Sequence, residues 1–339
     1  MKEKILCIQL KQIGDVLMNT PAIRALTGHF PDGEIHFLTI PPAHQIFEFN
    51  PFIQKIHYYP KDNSFLKIIS LIKRLKKENY SHVIDFHGVP KTALLSWLTR
   101  APKRIGYQLR GRSLFYTNPV SSSPHLLYSG QKKNYLLSAL GINVKALQLN
   151  FFTSDQDHQK ADSILKQLKV NQDRFLISVS PVSRRDYKIW PADRFSAVCD
   201  FLIENYQAQI IFLWGPGEYH FIEAVRKNMQ NRDLGDYEIP TLRETVALLK
   251  KVDLHIGNDN GPMHFANAAG RPSIAIFGRP LMENWLEPDS PTHLGIEFDP
   301  GCKKKCFYPK CQLECLTGIE IKTVTKTIQS LLNHLKDKS

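Results

Sequence analysis

The chain has 339 residues, 42% of them apolar and 22% charged, with 44 Lys and Arg against 32 Asp and Glu for a formal charge of +12. That length exceeds a single domain of roughly 100–200 residues, so two domains are expected, and the apolar content excludes a disordered chain unable to offset its ordering entropy. No apolar run approaches the roughly 20 residues of a membrane helix. Met1 to Lys4, followed by a short apolar stretch, lacks the h-region and cleavage site of a secretory signal, so a cytoplasmic protein is expected.

In chain order, residues 4–10 read as a strand and residues 15–29 as a helix, with Val16, Leu17, Ile23 and Leu26 at helical spacing. Residues 34–40 and 55–59 are strands, Phe65–Lys77 an amphipathic helix, 81–86 a strand and 91–99 a helix. Residues 107–124, basic and broken by Gly and Pro, read as a loop, and 131–140 as a helix stopped by Gly141. The alternation restarts after Asn150. Helices are expected at 155–168, Ala192–Tyr206, 218–229, 241–251, 262–269 and 321–335, and strands at 175–180, 209–214, 253–257 and Ser273–Phe277. This order predicts an α/β chain of two Rossmann-like doubly wound domains, 1–155 and 156–339, facing a central cleft. Ligands of such sheets bind outside the carboxyl ends of the strands.

Four segments fall at those ends. Gly257-Asn258-Asp259-Asn260-Gly261-Pro262-Met263-His264 leaves a strand and opens a helix. Asn260 or Asp259 suits the cap, Pro262 the first turn, and Gly261 a close backbone approach. A helix N-terminus of this kind binds phosphate; the alternative is a well-capped structural helix. Ser180 to Pro191 places Arg184, Arg185 and Lys188 on one loop, which suits a diphosphate, with a solvated basic loop as the alternative. Trp190-Pro191 reads as the anchor of the following helix. Gly14 turns the chain so that Asp15 can take a proton from a hydroxyl, or simply cap a helix. Trp214-Gly215-Pro216-Gly217-Glu218 presents a carboxylate suited to a ribose, or to a first helical turn.

Taken together and in this order, the segments resemble glycosyltransferase family 9, the ADP-heptose:lipopolysaccharide heptosyltransferases. The resemblance is carried by Ile13-Gly14-Asp15-Val16-Leu17 with Thr20-Pro21, by Lys188 with Trp190-Pro191, and by Gly257-Asn258-Asp259 through His264 with Ala266, Ala268 and Ala269; Pro272 to Gly278 also fits. It implies a GT-B fold, with an acceptor-binding first domain and a nucleotide-sugar-binding second. It also implies metal-independent, inverting transfer of heptose from ADP-heptose to a lipopolysaccharide core acceptor, with no cofactor. By matching position, Asp15 is the general base, Lys188 neutralises the donor phosphates, Glu218 holds the nucleoside, and Asp259, Asn260, Gly261 and His264 line the donor site. Asn260 stands where the family usually carries Ser or Thr.

The partners implied are a nucleotide sugar and a lipid-linked saccharide, with peripheral contact at the cytoplasmic face of the inner membrane. Lys303–Lys305 with Phe307 and Tyr308 is one surface suited to such contact. Cys302, Cys306, Cys311 and Cys315 are spaced for a four-thiolate metal knuckle or for reduced free thiols; a disulfide does not suit a reducing compartment. A nucleotide-sugar epimerase of the same fold is the rival enzyme. A nucleic-acid binder is the rival of another class, but the cations look dispersed and no nucleic-acid motif is present.

Overall fold

Strands buried along their whole length mark parallel sheets covered on both faces. In the computed structural model, which describes residues 2–279, 281–302 and 305–337, the central strands are of that kind. The chain divides into two units, Met1–Phe152 and Thr153–Ser339. The division precedes 155 because Ser154 caps the helix Asp155–Gln167 and the Lys250 ammonium donates to Thr153 Oγ1 at 2.8 Å, tying both residues to the second unit.

The first unit holds strands β1 (Lys4–Ile8), β2 (Glu34–Thr39), β3 (Lys55–Tyr58), β4 (His82–Asp85), β5 (Lys103–Tyr107) and β6 (Asn118–Val120). Their order is β3-β2-β1-β4-β5-β6 and all neighbours are parallel. The direction of winding reverses between β1 and β4, which makes that point the ligand-binding crevice of the sheet. Helices Phe65–Lys77 and Pro90–Leu98 cover one face, with Leu71, Leu75 and Leu95 packed on Leu6, Ile8, Leu38 and Val83.

The second unit holds β7 (Leu176–Ser180), β8 (Gln209–Phe212), β9 (Leu254–Asn258), β10 (Ser273–Phe277) and β11 (His293–Glu297), again all parallel, in the order β11-β10-β9-β7-β8. Its switch point lies between β7 and β9. Helices Ala192–Tyr206 and Ile321–Lys336 bury Phe195, Leu202, Ile328 and Leu331 in the core of this unit. No helix of the described residues is long and apolar enough to cross a membrane.

The structure corrects the sequence reading at two kinds of place. The helix expected over 15–29 is two helices, Ile13–Leu17 and Thr20–His29. Pro21 has no N–H to continue the first, and the Asn19 amide takes up the Asp15 and Val16 carbonyls at 2.9 and 3.1 Å. The loop expected over 107–124 contains β6, and β5 and β11 were also unforeseen. β6 has only three residues, β6 and β11 are edge strands and β5 lies beside β6, so none shows the continuous apolar run of the central strands.

Candidate active site

At the switch point of the second unit, Ser180 of β7 stands opposite Gly257 of β9. A Cβ on Gly257 would lie 2.1 Å from Ser180 Oγ, so only glycine lets the two strand ends approach. Beneath them His255, fully buried, bridges Ser178 Oγ at 2.9 Å and Ser180 Oγ at 3.2 Å. Burial pulls its pKa down to about 3, which keeps the ring a neutral spacer.

Asn260 is the N-cap of the helix Gly261–Ala268, with extended backbone and Oδ1 accepting from Met263 N at 3.4 Å; Pro262 lies in the first turn. Its amide donates to Val182 O at 2.9 Å and to Ser180 Oγ at 3.1 Å. The side chain therefore closes the cap with its oxygen and clamps the loop leaving β7 with its nitrogen. A Ser or Thr hydroxyl has too short a reach and too few hydrogens to do both. The helix N-terminus is thereby fixed beside the Ser180–Lys188 loop.

That loop ends in a 3₁₀ turn, Asp186–Lys188. Trp190, fully buried, pins it: its backbone N–H donates to Asn258 Oδ1 and its indole N–H to Ile319 O, both at 3.1 Å. Lys188 pairs with Asp259 Oδ2 and lies 5.8 Å from the centroid of the Trp285 ring. Asp259 is 9% exposed, and its N–H is held by Ile276 O at 3.0 Å. Lys188, Asp259, Asn260 and Gly261 thus meet at one point, the helix start at the β7–β9 crevice, and His264 lies buried one turn further on. Arg184 and Arg185 are exposed on the same loop. Glu218 lies beyond the neighbouring β8, immediately before the helix Tyr219–Arg226, and its carboxylate accepts from Gly215 N at 2.8 Å across a turn in which Gly217 has φ +81°.

In the first unit, Asp15 lies at the carboxyl end of β1, in the first turn of Ile13–Leu17. One carboxylate oxygen is 3.6 Å from the Lys133 ammonium; the other accepts weakly from Gln12 N at 3.4 Å. Lys133 is buried and also donates to Gln9 Oε1 at 2.8 Å. Burial lowers its pKa, and the Asp15 carboxylate opposes that shift. His87, after β4, is drawn down to about 4, first by burial and then by Lys133 with the Asp15 carboxylate opposing, which keeps its imidazole neutral. Sequence reasoning missed Lys133 and His87. The signal for Lys133 was a lysine on the same helix face as Gly130, Asn134 and Leu137, all buried or part of the core.

The cysteines are free thiols: Cys302, Cys306 and Cys311 half-buried, Cys315 buried with its pKa pushed up to about 11. Among the described residues they are not gathered to ligand distance. The group that is gathered comprises His36, His57 and Glu78, which are already engaged by Tyr80 at 2.8 Å from each histidine and by Lys4 and Lys55 on the glutamate. Lys303 and Lys304 lie outside the described residues; Tyr308 packs 5.0 Å from the Tyr187 ring, and Phe307 is exposed.

Two doubly wound parallel sheets, the second carrying a lysine and a capped helix start at its switch point, define an α/β protein of the GT-B class. A family model described as glycosyltransferase family 9 (heptosyltransferase) matches residues 68–316. Lipopolysaccharide heptosyltransferase 1 of Campylobacter coli is 30% identical, with 97% of this chain and 98% of that protein aligned. Among solved structures, the family 9 glycosyl transferase of Veillonella parvula DSM 2008 superposes with TM-score 0.82 at 22% identity over 98% of this chain and 97% of that one. E. coli heptosyltransferase WaaC with ADP-2-deoxy-2-fluoro heptose does so with TM-score 0.72 at 17% identity over 96% and 99%. The chain belongs to glycosyltransferase family 9, the heptosyltransferases, and is a glycosyltransferase.

Proposed function

We propose that this chain transfers heptose, with inversion and without a metal, from ADP-heptose to a saccharide of the lipopolysaccharide core at the cytoplasmic face of the inner membrane. The observation that carries the reading is the placement of Lys188 beside the start of Gly261–Ala268 at the β7–β9 crevice in a family 9 chain. The acceptor hydroxyl attacks the anomeric carbon from the face opposite ADP. The bond to the diphosphate breaks with its electron pair on ADP, and the hydroxyl proton passes to Asp15. The growing charge on the diphosphate meets the Lys188 ammonium and the helix N-terminus, so the reading assigns no role to a divalent ion. Glu218 accepts hydrogen bonds from the ribose, and His264 and Asp259 border the sugar-diphosphate. Supporting the donor and acceptor are the heptosyltransferase relatives and the ADP-sugar analogue in the solved WaaC structure.

The test is ADP release from ADP-heptose in the presence of a lipopolysaccharide core acceptor, with EDTA added. Wild-type protein is expected to turn over unaffected by the chelator. Asp15→Asn should lose roughly 10²–10⁴ in rate with unchanged ADP affinity. Full activity in Asp15→Asn would remove it as the base, and isomerised donor without acceptor would make the protein an epimerase.

A further inference from the structure

The charge of this protein is not spread over its two units. The first, Met1–Phe152, carries 20 Lys and Arg against 8 Asp and Glu; the second, Thr153–Ser339, carries 24 of each. The whole excess of +12 therefore belongs to the first unit. Within it, residues 86–154 contain nine Lys and Arg and no acid.

The same unit exposes apolar side chains on adjoining elements. Phe65 and Leu66, at the start of Phe65–Lys77, are 74% and 77% exposed. Leu94 and Trp97 form the outward stripe of Pro90–Leu98, and Leu114, in the turn Ser113–Phe115, is 86% exposed. These elements adjoin. The two helices share one core against the sheet, and Trp97 packs on Phe115 with ring centroids 6.3 Å apart. Cations frame the apolar groups: Lys91 and Arg100 continue the Leu94–Trp97 stripe at three-residue spacing, and Lys67 and Arg110 follow Leu66 and Leu109. Exposed Leu, Phe and Trp ringed by Lys and Arg suit the boundary between headgroups and acyl chains, where the rings and aliphatic groups sink while the cations remain at the phosphates.

We propose that the first unit docks on an anionic bilayer through the outer faces of Phe65–Lys77, Pro90–Leu98 and Ser113–Phe115. This rests on the reading of a lipid-linked acceptor, because a membrane-held acceptor is what gives the docking its use. Charge complementarity selects the occupant. A strongly basic face with scattered apolar tips, whose neighbouring Asp62 is paired with Lys67, matches a phospholipid surface better than a protein surface, which would offer mixed charge and a continuous apolar core.

The experiment is sedimentation of the full chain with vesicles of phosphatidylcholine, alone or with about one-third phosphatidylglycerol. Binding is expected only to the anionic vesicles. It should fall as salt rises from about 0.1 to 1 M, where screening shortens from ~10 to ~3 Å. Replacing Lys67, Arg100 and Arg110 by Gln should weaken partition roughly five-fold per cation. The triple variant Leu66→Ser/Trp97→Ser/Leu114→Ser should weaken it at least about ten-fold while unfolding at the wild-type temperature. No vesicle binding, equal binding to neutral vesicles, or wild-type binding by both variants would overturn the proposal; a protein partner for this face would show as the first of these. A deacylated, water-soluble core acceptor separates this proposal from the assigned activity. The triple variant should use that acceptor at the wild-type rate and the membrane-held acceptor more slowly. Failure of wild-type protein on the soluble acceptor would count against the transferase reading alone, and equal loss of both activities in the variant would count against docking.

Discussion

Lys188 does two things that a single substitution confounds. Unliganded, it pairs with Asp259, a carboxylate with a side chain only 10% exposed, while Lys188 itself is 24% exposed. In the proposed complex it also faces the donor diphosphate. Lys188→Met leaves the carboxylate unpaired in a nearly dry position, which should cost about 1–3 kcal/mol, discounted toward the lower end for the solvent that reaches Lys188. For a unit of this size that is a drop of about 2–10 °C in unfolding temperature. The same change removes one charged contact to phosphate, worth ~1.5–3 kcal/mol, or about 10- to 150-fold in ADP affinity. Lys188→Met/Asp259→Asn separates the two. With no stranded carboxylate the double variant should recover most of the lost unfolding temperature, yet remain weak for ADP. Calorimetric titration with ADP beside a thermal melt reads both quantities on the same samples. Recovery of ADP affinity in the double variant would refute the reasoning, because Lys188 would then act only by neutralising Asp259.

Two further expectations concern other buried charges. Lys133→Met takes the donor from the buried Gln9 Oε1 and leaves the Asp15 carboxylate unpaired, so the unfolding temperature should fall by about 2–10 °C; transfer should fall about 10- to 100-fold because Asp15 loses the partner that fixes its carboxylate, with ADP affinity unchanged in a titration. His255 has a folded pKa of about 3 against an ordinary value near 6.5, so the unfolded chain binds the extra proton between those limits. Its contribution is complete above pH 6.5 and lost as the pH falls toward 3. At pH 5 about 2 kcal/mol should be gone, and denaturant melts of His255→Asn should show a shallower loss between pH 6.5 and 4 than the wild type.

What the sequence made legible follows from how locally each feature is encoded. Phe65–Lys77 and Ala192–Tyr206 were read with their true ends because one apolar stripe against one polar stripe is written within the segment itself. The strand, cap and helix around Asn260 were read for the same reason: Asn260, Pro262 and the strand before them lie within a dozen residues. β6 and β11 were not, since an edge strand is defined by the neighbour it pairs with, and three residues containing Pro119 carry no pattern of their own. The site divides along the same line. Lys188 and Asp259 are 71 residues apart, and Lys133 and Asp15 are 118 apart, so neither pairing has a local signature.

Each left a different trace, however: a residue that breaks the rule of its own element. Lys133 occupies the inward face of a helix, and His255 interrupts an otherwise fully buried, mostly apolar strand. Burying either polar group alone would cost more than any helix or strand preference returns. Such a residue persists only where a distant partner satisfies it, Asp15 and Gln9 in the first case and Ser178 and Ser180 in the second. Both exceptions sit at the switch points of their sheets. Polar residues at positions whose periodicity demands an apolar one also include His36 on β2 and His57 on β3, both satisfied by Tyr80; it is the exceptions at the switch points that mark where this chain holds its catalytic carboxylate and its donor diphosphate in the proposed reaction.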